Sequence, residues 1–314
     1  MRAARRIAVG CAALLAAPPL AGGQAPPGQP PVFSVDTDIV NLTISVRDLK
    51  GRLVSDLSAD EFALREDGRP QKVQFFARAF EPGQDQALAL DLGLLLDTSE
   101  SMIEELKLSQ EAAARFLESI PRARDLLTIF FDQDIRLSRY DSEHQQGLVD
   151  RIFESKGAGM TALYDAIAVY LSRVQDSSGR KVLVVFTDGE DTTSALSIAE
   201  LMALVRSSGV TIYPIAFTGS FAMGSNRALS ARSFLQHLAD LSGGEVFTPH
   251  NSKDLPQIYA KILDELQSQY VIGFTSDNAK HDGKYRKLKV EVRRPGLKVR
   301  YRPGYTAPKD QVGG

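Results

Sequence analysis

Four apolar runs, at residues 88–96, 125–131, 181–187 and 210–217, constrain the fold of this chain more than any other feature. Each is too continuous to be a strand with one face in water, and such strands belong in a parallel sheet covered on both faces. The stretches between them have helical periodicity. Leu163, Ile167, Tyr170, Leu171 and Val174 fall on one face, as do Leu255, Ile258, Tyr259, Ile262, Leu263 and Leu266. Asp254-x-x-Gln257, ahead of the second set, resembles a capping box. Strand alternating with helix predicts a doubly wound α/β fold with a mostly parallel sheet over residues 88–268.

The flanks read differently. In the segment 32–82, Val40, Leu42, Ile44 and Val46 alternate with polar residues, and 61–66 and 71–76 read as short strands around an Asp67-Gly68 turn. In 269–306, Leu288, Val290 and Val292 alternate with polar residues, as do Leu297, Val299 and Tyr301 after Pro295-Gly296. These two strands are expected to form a hairpin with one apolar and one basic face. The basic residues are Lys284, Arg286, Lys287, Lys289, Arg293, Arg294, Lys298, Arg300 and Arg302, a set suited to an anionic contact or simply to solvent. Neither flank is long enough to be comfortable alone. They are expected to pack together as one small β-sandwich into which the α/β unit is inserted, with two separate β appendages as the alternative.

Residues 1–23 have the form of a secretory signal, with Arg2, Arg5 and Arg6, then an apolar run from Ile7 to Leu20, then small residues up to Gly23. Residues 24–31 form a Pro-rich linker. The predicted destination is outside the cytoplasm: periplasm, cell surface or medium. The single cysteine, Cys11, lies inside the signal, so the cleaved chain offers no disulfide and no thiolate chemistry. No later segment is apolar for long enough to cross a bilayer. A formal net charge of -2 gives no reason to expect nucleic acid as a partner.

Asp97 stands at the C-terminal end of the run 88–96, where open α/β sheets bind ligands. In Asp97-Thr98-Ser99-Glu100-Ser101, alternation aims Asp97, Ser99 and Ser101 one way and Glu100 to the rim. The run 181–187 brings Asp188 to the same edge, and Gly157-Ala158-Gly159-Met160-Thr161 leads Thr161 to its mouth. Two carboxylates and three hydroxyls make an all-oxygen set, which suits a hard cation such as Mg2+, with Mn2+ or Ca2+ as alternatives, and not zinc. With only two charged ligands, the ion keeps an appetite for a further carboxylate. The bland reading is a strand-end turn with capping hydroxyls. Glu190 and Asp191 are expected to be solvated. In the loop 218–229, Phe221 and Met223 are candidates for a partner-binding rim.

Together, Asp97-x-Ser99-x-Ser101, Thr161 and Asp188 resemble the metal-ion-dependent adhesion site of von Willebrand factor type A domains over roughly residues 88–268. Glu66-Asp67-Gly68-x-x-Gln71, Tyr270-Val271-Ile272-Gly273-Phe274 and Arg302-Pro303-Gly304-Tyr305 resemble an acidobacterial-type branch of related exported proteins. The resemblance implies a Rossmann-like fold and a Mg2+ held by Ser99, Ser101 and Thr161, with Asp97 and Asp188 acting often through water. It also implies a protein partner that offers a carboxylate, in a binding module rather than an enzyme. A Mg2+-dependent phosphoryl-transfer hydrolase is the rival, but Ser99 stands where haloacid-dehalogenase-type enzymes usually carry a second Asp. A purely structural envelope scaffold is the third reading.

Overall fold

The computed structural model describes residues 39–79, 89–120, 123, 125–140, 145–175, 179–217, 226–251 and 253–309. The expected signal and linker, and the rim residues Phe221 and Met223, lie outside them. The chain begins with β1 (Ile39–Asp48), β2 (Phe62–Glu66), β3 (Arg69–Gln71) and β4 (Phe75–Arg78). The α/β unit follows: β5 (Leu90–Asp97), α1 (Leu106–Ser119), β6 (Asp125–Phe131), β7 (Ile135–Tyr140), α2 (Gln145–Glu154), α3 (Leu163–Arg173), β8 (Arg180–Thr187), α4 (Ile198–Ser208), β9 (Thr211–Ala216), α5 (Asn226–Ser242) and α6 (Leu255–Ser268). It closes with β10 (Tyr270–Thr275), β11 (Tyr285–Val292), β12 (Leu297–Arg300) and β13 (Gly304–Thr306).

The central sheet has the order β7-β6-β5-β8-β9. β5 pairs in parallel with β6 and β8, and β8 with β9. Every residue of β5 is buried, because helices cover both faces. Leu92, Leu94 and Leu96 enter one core with Phe116, Ile258 and Ile262, while Leu95 enters the other with Ile167, Leu201 and Leu235. Gly93 belongs to the second face: a Cβ there would sit 2.2 Å from the ring of Tyr170, whose hydroxyl donates to the Val182 carbonyl at 2.8 Å. β7 was not expected from the apolar runs. It is an antiparallel edge strand, IRLSRY, with no fully buried residue, so it lacks the continuous apolar signature of its neighbours.

The helix ends are set locally. Ser197 and Glu200 form the capping box of α4, and Gly209, at φ 67°, ends it. The capping box expected before α6 does not form: Asp254 is itself helical in conformation, and its carboxylate accepts from the His250 amide.

Two four-stranded antiparallel sheets, β12-β1-β10-β4 and β13-β11-β2-β3, share a third hydrophobic core that includes Leu42, Ile44, Phe62, Tyr270, Phe274 and Leu288. Each sheet draws strands from both sides of the α/β unit. β4 and β10, which bracket that unit in sequence, are neighbours, with Arg78 opposite Tyr270.

Three expectations fail in this region. The residues 71–76 are not one strand: β3 pairs with β2 in one sheet, and β4 with β10 in the other. The expected hairpin across Pro295-Gly296 is not one either, because β11 pairs with β2 and β13 while β12 pairs with β1. Both strands do turn their apolar alternation toward a single core, but from opposite sheets. The basic face of 284–302 is consequently dispersed. Arg286 is buried beside Glu66 and Tyr305, Arg294 pairs with Asp56 and Glu61, and Arg300 pairs with Glu245 and Glu265.

Glu265, on α6, is fully buried where the sandwich meets the α/β unit. It accepts from Ser45 Oγ at 3.0 Å, Tyr213 Oη at 2.7 Å and Arg47 Nη2 at 2.8 Å, and it is bonded to Arg300 as well. Among the described residues no helix is long and apolar enough to cross a membrane.

Candidate metal centre

The order of the central sheet reverses between β5 and β8, and this is where the expected site residues collect. Asp97 is the last residue of β5, and Asp188 follows β8 directly. The two strands are hydrogen-bonded neighbours, with Leu96 opposite Phe186, so their register alone places both carboxylates at one edge.

Asp97 Oδ1 accepts from the Ser99 amide at 3.0 Å and from Ser99 Oγ at 2.6 Å, and Ser99 Oγ lies 3.0 Å from Ser101 Oγ. The alignment is not the strand alternation expected from sequence. Ser99 is still extended, but Glu100–Met102 form a single 3-10 turn, and this turn carries Ser101 back toward Ser99. Glu100 is exposed at the rim. Thr98 faces away: its hydroxyl donates to the Phe131 carbonyl at 3.0 Å and accepts from Arg136 at 3.0 Å.

Sequence reasoning missed Thr187. Its hydroxyl donates to Asp97 Oδ2 at 2.6 Å and accepts from the Gly189 amide at 3.1 Å, joining the two strand ends. The available signal was its place just ahead of Asp188. Thr161 is buried and is held through its backbone. Its loop lies against the Asp97 turn, where the Ala158 amide donates to the Thr98 carbonyl and the Glu100 amide to the Gly159 carbonyl. Asp97, Ser99, Ser101 and Asp188 thus form one contiguous group, with Thr161 on the adjoining loop.

Four carboxylates are buried at this edge: Asp97, Asp132, Asp188 and Glu190. Two are neutralised. Asp132 is bridged by Arg136 at 2.8 Å; burial pushes its pKa up, but the bonds from Arg136 and the Asp134 amide, with the charge of Arg136, leave it lowered. Glu190, expected to be solvated, is instead buried and paired with Arg227. Asp191 is half-buried and accepts from the Tyr164 amide. Asp97 and Asp188 have no ion-pair partner among the described residues. Burial, and then the charge of Asp188, push Asp97 up to about 7. Burial also raises Asp188, with partial relief from the Ser101 hydroxyl and the charge of Arg227. Asp188 Oδ1 accepts from the Glu190 amide at 2.9 Å, whereas its Oδ2 is buried with no hydrogen-bond partner.

Two adjacent buried carboxylates, one with an orphaned oxygen and neither in an ion pair among the described residues, make a site short of positive charge. The surrounding donors are hydroxyl oxygens, so the chemistry fits a hard divalent cation. Among the described residues no cluster of three or more His, Cys, Asp or Glu side chains is placed to hold a metal, so any ion here relies on the hydroxyls of Ser99, Ser101 and Thr161.

Residues 91–261 match the family model of the von Willebrand factor type A domain. A search of curated proteins found no match. Among solved structures, a von Willebrand factor type A protein from Catenulispora acidiphila is similar at 11% identity, over 88% of this chain and 76% of that one, with a TM-score of 0.49. The PilB minor pilin from Streptococcus sanguinis is similar at 13% identity, over 60% and 63%, with a TM-score of 0.48. The BatB protein from Bacteroides thetaiotaomicron is similar at 14% identity, over 57% and 100%, with a TM-score of 0.46.

Proposed function

The chain belongs to the von Willebrand factor type A domain family, whose members typically mediate protein binding and adhesion, and from that premise we propose that it is an exported module gripping a partner protein through a divalent metal. The observation that carries this reading is the contrast among the four buried carboxylates. Asp132 and Glu190 each form an ion pair with an arginine, while the adjacent Asp97 and Asp188 form none among the described residues. A divalent cation such as Mg2+ would supply the missing charge.

In this reading Ser99, Ser101 and Thr161 would hold the ion, and Asp97 and Asp188 would act on it, often through water. Mn2+ or Ca2+ would use the same oxygens. The bound metal supplies a Lewis-acidic position for a partner's carboxylate. The chain's own residues do the rest. Thr187 and the Ser99 amide fix the Asp97 carboxylate, and the 3-10 turn presents Ser101. Asp97 and Ser99 are both fully buried, which strengthens any charge interaction made there. The N-terminal segment 1–23, read as a secretory signal, supports export.

The test is calorimetric titration of the protein with Mg2+ and Mn2+ beside an Asp97→Ala, Ser99→Ala variant. Saturable binding by the parent and none by the folded variant is the expected result. A folded parent that binds neither ion sinks the proposal.

A further inference from the structure

Thr192 is exposed, lies outside the set of expected metal-binding oxygens, and still controls the backbone of one of them. Its Oγ1 accepts from the Thr161 amide at 2.9 Å. In return, the Thr161 carbonyl accepts from the amides of Thr192 at 2.9 Å and Thr193 at 3.1 Å. Both backbone groups of Thr161 therefore end on the loop that carries Asp188.

The contact extends along the chain as a strap. Asp191 Oδ1 accepts from the Tyr164 amide at 3.1 Å, and Ser194 Oγ accepts from the Asp165 amide at 3.1 Å. The Asp165 carboxylate in turn accepts from the amides of Ala195 at 2.8 Å and Leu196 at 3.0 Å. The loop ahead of Thr161 needs such a hold. It runs Gly157-Ala158-Gly159-Met160 and is tied to the Asp97 turn at Ala158 and Gly159, but Gly159 lies at φ 79°, Met160 is exposed, and the backbone bonds of Thr161 itself go to the Thr192 loop.

We infer that Thr192 is a positioning residue, which sets Thr161 relative to Asp188 and so selects the small ion Mg2+ over the larger Ca2+; this rests on the metal reading above. Mg2+ demands near-ideal octahedral geometry at short distances, whereas Ca2+ accepts longer and more varied ones. A loop free to drift by a few tenths of an ångström harms the first ion more than the second. The bonds of Thr192 go to the Thr161 backbone, so it would act through that backbone, as outer-shell groups do at other metal sites.

The experiment compares Thr192→Val, which keeps the shape and removes the hydroxyl, with Thr192→Ser, which keeps the hydroxyl. Each variant and the parent are titrated with Mg2+ and with Ca2+, and the exchange rate of the Thr161 amide is followed in the metal-free protein. Thr192→Val should bind Mg2+ about tenfold more weakly while Ca2+ binding changes by less than about threefold, so that selectivity moves toward Ca2+. Its Thr161 amide should exchange faster, and Thr192→Ser should behave as the parent. Equal weakening toward both ions, or Mg2+ binding by Thr192→Val at the parent's affinity, overturns the role of Thr192 and leaves the site intact. A parent that binds neither ion overturns the site itself and this role with it.

Discussion

Glu265 and Asp97 are both fully buried carboxylates, but they are surrounded by different donors. Glu265 lies where α6 meets the β-sandwich and receives two arginines, Arg47 and Arg300, together with the hydroxyls of Ser45 and Tyr213. Asp97 lies at the edge of the central sheet and receives two hydroxyls and one amide, with Asp188 as its charged neighbour. The joint is neutralised from within the chain. The edge is short of positive charge, although arginines were placed on the carboxylates on either side of it. Burying a charge without a counterion is costly. The fold supplies cations at the joint and pairs none with Asp97 among the described residues, and this contrast underlies the proposed metal.

The hardest blow to this comparison is Glu265→Ala, which leaves Arg47 and Arg300 only the more exposed Glu245 as an acidic partner at the joint. It should cost about 3–5 kcal/mol in urea denaturation, the range for breaking a buried ion pair from one side. A loss no larger than that of a surface substitution would mean that the joint is not a charge centre.

The edge should respond to pH in the opposite sense from an ordinary paired acid. Burial and Asp188 raise Asp97 from its usual 3.8 to about 7. In chelator, the native state therefore holds a proton that the unfolded chain has already released. This contribution to stability is complete below pH 3.8, declines as pH rises, and is gone above about 7. At about 1.36 kcal/mol per unit, the loss amounts to as much as about 4 kcal/mol, and Asp97→Asn should flatten it. Denaturation of the metal-free protein at pH 5 and pH 8 checks the sign; greater stability at pH 8 that depends on Asp97 would refute a carboxyl raised by burial and by Asp188.

Mg2+ sharpens the contrast further. At a hundredfold excess over its dissociation constant it should stabilise the parent by about 2.7 kcal/mol. It should do nothing for the Asp97→Ala, Ser99→Ala variant, and should still stabilise Glu265→Ala, as read by thermal melting. The smallest effect belongs to Ser45→Ala, which removes one of several bonds to Glu265 and should cost about 1 kcal/mol. A cost several times larger would show that the arginines alone do not satisfy the joint.

The α/β unit was the most legible part of the chain. The apolar runs fell on β5, β6, β8 and β9 to within a few residues, because a strand buried on both faces can hold little that is polar. β7 escaped notice because an edge strand with Arg136 and Arg139 has no such constraint. Asp97 and Asp188 could be read because each ends an apolar run. Thr192 and Arg227 could not, since each acts on a partner distant in sequence and neither stands in a pattern.

The sequence by itself determined the two hydrophobic periods, and with them which segments become buried strands, which become helices, and which carboxylates terminate strands. Those are local properties, fixed by how often a side chain meets the core. Only the tertiary structure decided which strands became neighbours. β11 and β12 carry alternation that would suit a hairpin, yet they joined opposite sheets, because alternation specifies a face and not a partner. The same holds for charge. Nine basic residues between 284 and 302 read as one face, and packing sent Arg286, Arg294 and Arg300 to acids far away in the chain. Whether a buried carboxylate meets an arginine or only hydroxyls and amides depends on distances across the fold, which no local pattern encodes.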